Sequence, residues 1–465
     1  MKNKISKINK FEKTSLLKFE EFVNKNSNLL SRNSVLTFAQ PVKEIDAISL
    51  LNAIHKKFND SIYFSAPDDK YSFLAIDSLF NLPGETDHGW AKVFLQLGKI
   101  ISINNLSSLK LSSLPIAVGG VKFDSKQNSD EWNDFRNYHF FIPKMILFTK
   151  NEKQYLIVNS ICKSKFCKDE LINEYSNSLS QFSELVSKSK TKLLNLKKIK
   201  EFNVKNGRKK WLASVESTKK LLNGDLKKIV IARRRQFKHS GSSVLQEKIR
   251  LLEKRFSDCF VFALSSKKSV FFGASPERFI KIKNSKIELD AMAGSAPKHS
   301  KTNNFKLKKD GKNLAEHNYV VDFIRNKLSP FTVKLNIEDK PGIKKLRNIL
   351  HLHSKVSAKL KHDISPAVVI ENIYPTPAVC GLPKEQALKE IRKIEEFDRG
   401  LYSGAVGWIN LKLNCEFTVA IRSALLKDSI LYAYSGAGIV KDSVPEAEFD
   451  ETELKFNTIL SLFNE

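Results

Sequence analysis

Ser435-Gly436-Ala437-Gly438-Ile439-Val440, followed by Pro445-Glu446-Ala447-Glu448-Phe449-Asp450-Glu451-Thr452-Glu453-Leu454-Lys455, is the stretch around which the chain is organised. An apolar, aromatic run, Ile430 to Tyr434, precedes it and reads as a strand. The glycines read as a turn whose backbone N–H groups can approach a ligand closely. Ser443 with Glu446 three residues later is a capping-box pattern, and Pro445 suits a first helical turn. A helix is therefore expected from about Val444. On it Glu448, Glu451 and Lys455 fall on one face. Two carboxylates and an ammonium beside bare backbone donors suit a hard cation with an anionic ligand. The same spacing also describes a solvated acidic helix with ordinary ion pairs.

The chain has 465 residues, 42% of them hydrophobic, enough for one large domain or for two or three smaller ones. No apolar run approaches the roughly 18 residues that span a bilayer. The basic start, Met1 to Lys7, has no apolar segment behind it, so it does not read as a secretory signal. A cytoplasmic protein is expected, with no membrane partner. The five cysteines are scattered, and Cys162 and Cys167 have no second pair with which to build a zinc site. Reduced, mostly buried thiols are the expectation. A formal net charge of +28 raises nucleic-acid binding as one reading and a lysine-rich surface as the other. The lysines are dispersed, apart from a denser run from Lys188 to Lys210, and no aromatic-interleaved basic motif occurs. No specific nucleic-acid partner is expected, only weak and salt-sensitive binding to polyanions.

Residues 1–35 are polar and weakly periodic, an N-terminal extension that is either a helix or a loose arm. Ile45 to Phe58 reads as an amphipathic helix. Ser61–Ser65 and Tyr71–Ile76 read as a hairpin around Pro67-Asp68-Asp69. Ile116 to Phe123, Phe140 to Phe148 and Gln154 to Val158 read as further strands. Ile172 to Lys200 reads as a helix that becomes basic, a connection between two halves. Strands follow at Ile229–Ala232, Cys259–Ala263, Val270–Gly273, Val406–Ile409 and Phe417–Arg422. Helices are expected over Leu314–Lys327 and from Lys384 to Phe397. Hairpins interspersed with helices indicate an α+β protein with a largely antiparallel sheet.

Single residues leave alternatives open. Lys228, at a strand start, is either a desolvated base or an exposed side chain. Glu277, in Gly273-Ala274-Ser275-Pro276-Glu277-Arg278, is either a general acid or a turn carboxylate paired with Arg278. Gly294 and Ser295 offer donors or form an ordinary turn. Glu316 is a metal carboxylate or a surface residue. Arg422 ends an apolar strand, where a buried guanidinium needs a carboxylate partner.

Taken together and in order, the motifs resemble those of the chorismate-utilising enzymes: isochorismate synthases, anthranilate synthase component I, aminodeoxychorismate synthases and salicylate synthases. They are Lys228-Ile-Val-Ile-Ala-Arg233, Phe272-Gly-Ala-Ser-Pro-Glu277, Ala291-Met-Ala-Gly-Ser295, Glu316-His-Asn-Tyr-Val-Val-Asp322, Pro375 to Pro383, Arg399 to Trp408, Ala420-Ile-Arg-Ser423, Gly436 to Val440 and Pro445 to Lys455. They lie densely over 205–465. Over 36–200 the likeness is looser, carried by Tyr63-Phe-Ser-Ala-Pro67, Gly119-Gly-Val-Lys-Phe-Asp124 and Phe141-Ile-Pro-Lys144.

The resemblance implies a single domain over 36–465, in which two antiparallel sheets pack face to face with helices outside. It implies Mg2+, with Glu316 and Glu451 as metal carboxylates and Glu448 close by. It implies Gly294, Ser295, Tyr402, Arg422, Gly436, Ala437, Gly438 and Lys455 as the set that binds chorismate. Lys228 stands where the water-using members carry lysine and the ammonia users glutamine, and Glu277 stands where the general acid lies. Ala296 stands where the ammonia users usually carry arginine. The resemblance thus points to an isochorismate synthase, feeding menaquinone, phylloquinone or siderophore biosynthesis, monomeric and without a glutamine amidotransferase subunit. A salicylate synthase is the alternative, then an ammonia-using anthranilate or aminodeoxychorismate synthase. Three positions depart from the pattern: Asn313 replaces an acid, Lys298 an arginine, and Tyr374 a histidine tied to pyruvate elimination. The last disfavours a lyase step.

Overall fold

A computed structural model describes residues 10–84, 89–111, 114–163, 167–189, 199–202, 207–238, 245–298 and 303–463. Met1 to Lys7 and much of the basic run from Lys188 to Lys210 lie outside these residues. The long strand Tyr138–Lys150 is the branch point of the sheet. One edge pairs with Tyr71–Asn81. The other is shared by Ala117–Val121 and Lys153–Ile161. From there one arm runs through Tyr71–Asn81, Asp60–Ala66, Phe260–Ser266, Ser269–Ser275, Ser423–Lys427 and Ile430–Ile439 to Lys228–Lys238. The second runs through Ala117–Val121, Ala405–Ile409, Cys415–Val419, Arg278–Lys283 and Lys286–Pro297 to Ile349–Leu360. These pairings are all antiparallel. Val35–Val42 with Ser102–Asn104 is a parallel pair at the far edge.

The two arms face each other. Tyr71 on the first donates its hydroxyl to Glu416 Oε2 at 2.7 Å and accepts from Trp408 Nε1 at 2.6 Å, both on the second. Strand periodicity decides what fills each side. Phe64, Phe73 and Phe262 point between the arms and pack with Phe279, Trp408 and Phe417. Their neighbours Tyr63, Leu74 and Val261 point the other way, under helices Lys10–Lys25, Lys168–Lys188, Leu245–Arg255 and Pro445–Leu460. With both faces covered, these strands are apolar throughout rather than alternating, which is why the sequence shows unbroken runs such as Phe260-Val-Phe-Ala-Leu264. The α+β character with antiparallel pairing is as the hairpin pattern indicated, and the face-packed sheets with outer helices are as the resemblance implied.

Several local expectations are corrected. Ser435 to Ile439 is not a turn: the strand Ile430–Ile439 runs straight through the glycines. The capping box is absent, since the Ser443 hydroxyl accepts from Val440 N at 3.1 Å instead. The helix from Lys384 stops at Ile394, three residues before Phe397. The strand read as reaching Arg422 ends at Val419. Cys162 and Cys167 form a disulfide, against the expectation of reduced thiols, while Cys259, Cys380 and Cys415 are free and buried. The helix Lys10–Lys25 is anchored at Phe19, whose ring stacks on Tyr175 at 4.0 Å.

Candidate active site

The site forms where strands Lys228–Lys238 and Ile430–Ile439 pair, with Gly436 opposite Ala232 and Gly438 opposite Val230. Here the glycines provide closeness, not turning. A Cβ on Gly438 would lie 2.1 Å from Glu316 Oε1 and 3.0 Å from Lys228 Cε. One on Gly436 would lie 3.1 Å from the Tyr402 hydroxyl. The side chain of Ala437 points to the opposite face, into a core with Ile229 and Ile231, so it offers the site no side chain.

Lys228 is fully buried, which rejects the exposed reading. Its Nζ lies 3.1 Å from Glu316 Oε1, close enough for an ion pair but off hydrogen-bond geometry, which leaves Nζ without a directed partner. Glu277 follows the strand Ser269–Ser275. Its carbonyl is held by Thr418 Oγ1 at 2.7 Å and Val419 N at 3.1 Å. Arg278 turns away to Glu416 and Asp68, so the pairing of Glu277 with Arg278 is not formed. Burial, reinforced by the negative charge of Asp290 and opposed by Lys228, Lys344 and Lys455, pushes the Glu277 carboxyl up to about 8.

Gly294 takes a left-handed φ of +78° at a bulge in Lys286–Pro297, where a Cβ would press to 3.0 Å from Asn313 O. Ser295 N then donates to Asn313 Oδ1 at 2.9 Å. Arg422 is buried, and its expected carboxylate partner is absent: its Nη2 donates to His351 Nε2 at 2.9 Å. With Nε2 accepting, Nδ1 carries the proton toward Ser295 Oγ at 3.0 Å. Burial and the neighbouring Arg422 hold His351 well below its usual value, so the imidazole is neutral. Among the described residues no carboxylate pairs with Arg422, whose positive charge is left for a ligand.

Glu277, Gly294, Ser295, Glu316, Tyr402, Arg422, Gly436, Gly438, Glu451 and Lys455 all line one cavity, enclosing about 620 Å³ with its mouth included. Lys228 lies just behind Glu316. Glu448 is turned toward Lys312, 2.6 Å away. His351, which lines the cavity, and Lys312, which holds Glu448, are not among the residues the sequence points to. His351 sits in an alternating strand with no local signal, whereas Lys312, one helical turn before Glu316, was open to the same spacing argument used for Glu448 and Lys455. Tyr374 is not in the cavity lining: its hydroxyl donates to Lys122 O at 2.7 Å. Its departure from histidine therefore says little about a lyase step.

A family model described as "Chorismate binding enzyme" matches residues 21–464. The chain belongs to that family. The isochorismate synthase MenF of Bacillus subtilis (strain 168) is 27% identical over 442 residues, 92% of this chain and 93% of that protein. The isochorismate synthase MenF of Pasteurella multocida (strain Pm70) is 35% identical over 266 residues, 55% of this chain and 61% of that protein. The structure of MenF, the menaquinone-specific isochorismate synthase from Escherichia coli, superposes with a TM-score of 0.75 at 19% identity, covering 97% of this chain and all of that one, and so shares the fold. This chain is a chorismate-utilising enzyme. No helix among its described residues is long and apolar enough to cross a membrane.

The acidic corner of this chorismate-binding enzyme carries Glu316, Glu448 and Glu451. Burial opposes the ionisation of Glu451, but Lys455 at 2.6 Å and Lys312 outweigh it and bring the carboxyl down to about 2. Burial and the charge of Glu451 push Glu448 up to about 7. Buried carboxylates that repel one another, all hard oxygen donors, fit a divalent cation such as Mg2+. Among the described residues, no three acidic, histidine or cysteine side chains stand together as a ready metal cluster.

Proposed function

We propose that this enzyme is an isochorismate synthase, interconverting chorismate and isochorismate reversibly with Mg2+. The observation that carries the reading is Glu277: a fully buried carboxyl, pushed up to about 8, facing a cavity behind whose wall the buried Lys228 sits. At neutral pH such a carboxyl holds its proton and can donate it.

In the proposed reaction Lys228 takes a proton from water as the oxygen adds at C2 of chorismate. Both ring double bonds shift by one position, the C4–O bond breaks, and Glu277 protonates the departing hydroxyl. One water enters and one leaves, so the product is an isomer, and the two groups exchange roles in the return direction. Arg422 and Lys455 hold the substrate's carboxylates, aided by backbone donors at Gly436 and Gly438, with Gly294 and Ser295 lining the same cavity. Glu316, Glu451 and Glu448 would hold Mg2+, which would neutralise carboxylate charge on the bound substrate. Water as nucleophile needs no ammonia-supplying partner subunit.

A salicylate synthase is the second reading, since the buried Lys228 is equally placed to activate water for it. The test is incubation of purified protein with chorismate and Mg2+, with products resolved chromatographically. Isochorismate alone supports the proposal. Salicylate with pyruvate supports the second reading. Anthranilate formed only when ammonia is added would overturn both.

A further inference from the structure

Each of the three carboxylates in the acidic corner already holds a lysine. Lys228 stands 3.1 Å from Glu316, Lys455 stands 2.6 Å from Glu451, and Lys312 stands 2.6 Å from Glu448. Three lysine nitrogens thus stand against the three carboxyl groups before any ligand arrives. Two of these lysines have work of their own at the cavity: Lys455 also donates to Gly436 O at 2.8 Å, and Lys228 is sealed behind Gly438. Lys312 has neither tie. It is on the first turn of the helix Gly311–Leu328, one turn before Glu316 and on the same face, so it bridges to Glu448 on the helix Pro445–Leu460. Asp310 caps that first turn by accepting from Asn313 N at 2.8 Å, which holds Lys312 in place. The Lys312 side chain is 22% exposed and that of Glu448 2%, so the ammonium reaches inward from the solvent side.

We propose that Lys312 is a built-in competitor for the divalent cation, occupying Glu448 until the cation and a dicarboxylate substrate arrive together. A divalent cation alone meets lysines already seated on its carboxyl groups. The negative charge of a dicarboxylate entering beside it offsets that positive charge, so each favours the other. Release of Glu448 by Lys312 is the step that lets the third carboxylate turn toward the cation. Lys312 is a positioning residue in this account, acting through Glu448 rather than on the substrate.

The inference rests on the magnesium reading above, and the experiment separates the two. Mn2+, a paramagnetic stand-in for Mg2+, is titrated by electron paramagnetic resonance into chorismate-free wild type, Lys312→Met, Lys312→Arg and Glu451→Gln, each first checked for a cooperative thermal transition. The expected result is Mn2+ binding about tenfold or more tighter in Lys312→Met than in wild type, the order of one removed charge at a partly buried site. Lys312→Arg, which keeps the charge, should stay close to wild type, and Glu451→Gln should lose the site. If Lys312→Met binds Mn2+ no tighter than wild type while Glu451→Gln abolishes binding, the metal site stands and the competitor role is overturned. If Glu451→Gln binds Mn2+ like wild type, the metal reading itself fails and takes the inference with it.

Discussion

Glu277→Gln should make the protein more stable and nearly inactive at once, and the stability gap should grow with pH. The folded protein holds the Glu277 proton up to about pH 8, whereas an ordinary glutamate releases it near 4.5. Below the ordinary value both states are protonated, and the buried carboxyl's contribution to stability is fully present. Between the two values the unfolded chain has released a proton that the folded chain retains, so stability falls as pH rises. The loss is about 1.4 kcal/mol per pH unit, or about 3 kcal/mol between pH 5 and pH 7. Glutamine has the same shape and does not titrate. Every other group titrates alike in the two proteins, so the gap between them isolates this carboxyl. Chemical denaturation at pH 5, 6, 7 and 8 should show the variant's advantage widening by about that amount; water reaching the ionised group could halve it and leave it measurable. Turnover of chorismate should fall by roughly 10²–10⁴, the usual contribution of one acid–base group. A gap that stays flat from pH 5 to pH 8 would mean that Glu277 is already ionised at pH 5, and the proton-donor argument would collapse.

Lys228→Gln should lower isochorismate formation by roughly 10²–10⁴, while chorismate still binds through Arg422 and Lys455, as read by equilibrium dialysis; slow use of added ammonia is also expected. Wild-type turnover in that variant would place the base elsewhere. Gly438→Ala puts a methyl 2.1 Å from Glu316 Oε1 and should cost roughly 100-fold in turnover by displacing that carboxylate; unchanged kinetics would show that Glu316 has room to move. Thiol titration of the denatured, unreduced protein should find three of the five cysteines, since Cys162 and Cys167 are joined; five would deny the disulfide. Binding to a DNA duplex should be weak, independent of sequence and lost as salt rises; a tight, sequence-specific complex at physiological salt would make the net charge functional.

Much was legible in the chain itself because it is local. Strand and helix periods, the Pro445 start of the last helix and the shared face of Glu448, Glu451 and Lys455 follow from covalent neighbours and helical geometry. The ordered motifs from Lys228 to Lys455 placed the family. What the sequence could not contain is which distant groups meet. Gly436 and Gly438 read as a turn because glycine usually signals one; only the pairing with Lys228–Lys238 makes them a flat floor against which Glu316 and Tyr402 rest. Arg422 called for a carboxylate by charge, and found His351, 71 residues away in sequence, through the packing of the strand Ile349–Leu360 beside it. Tyr374 counted against a lyase step by its place in the motif, yet it lies off the cavity, because its ring packs on Trp90 and Phe279. Burial, which pushes the Glu277 carboxyl up until it holds its proton near neutrality, is a property of both sheet arms closing around it, and no stretch of the chain carries that information alone.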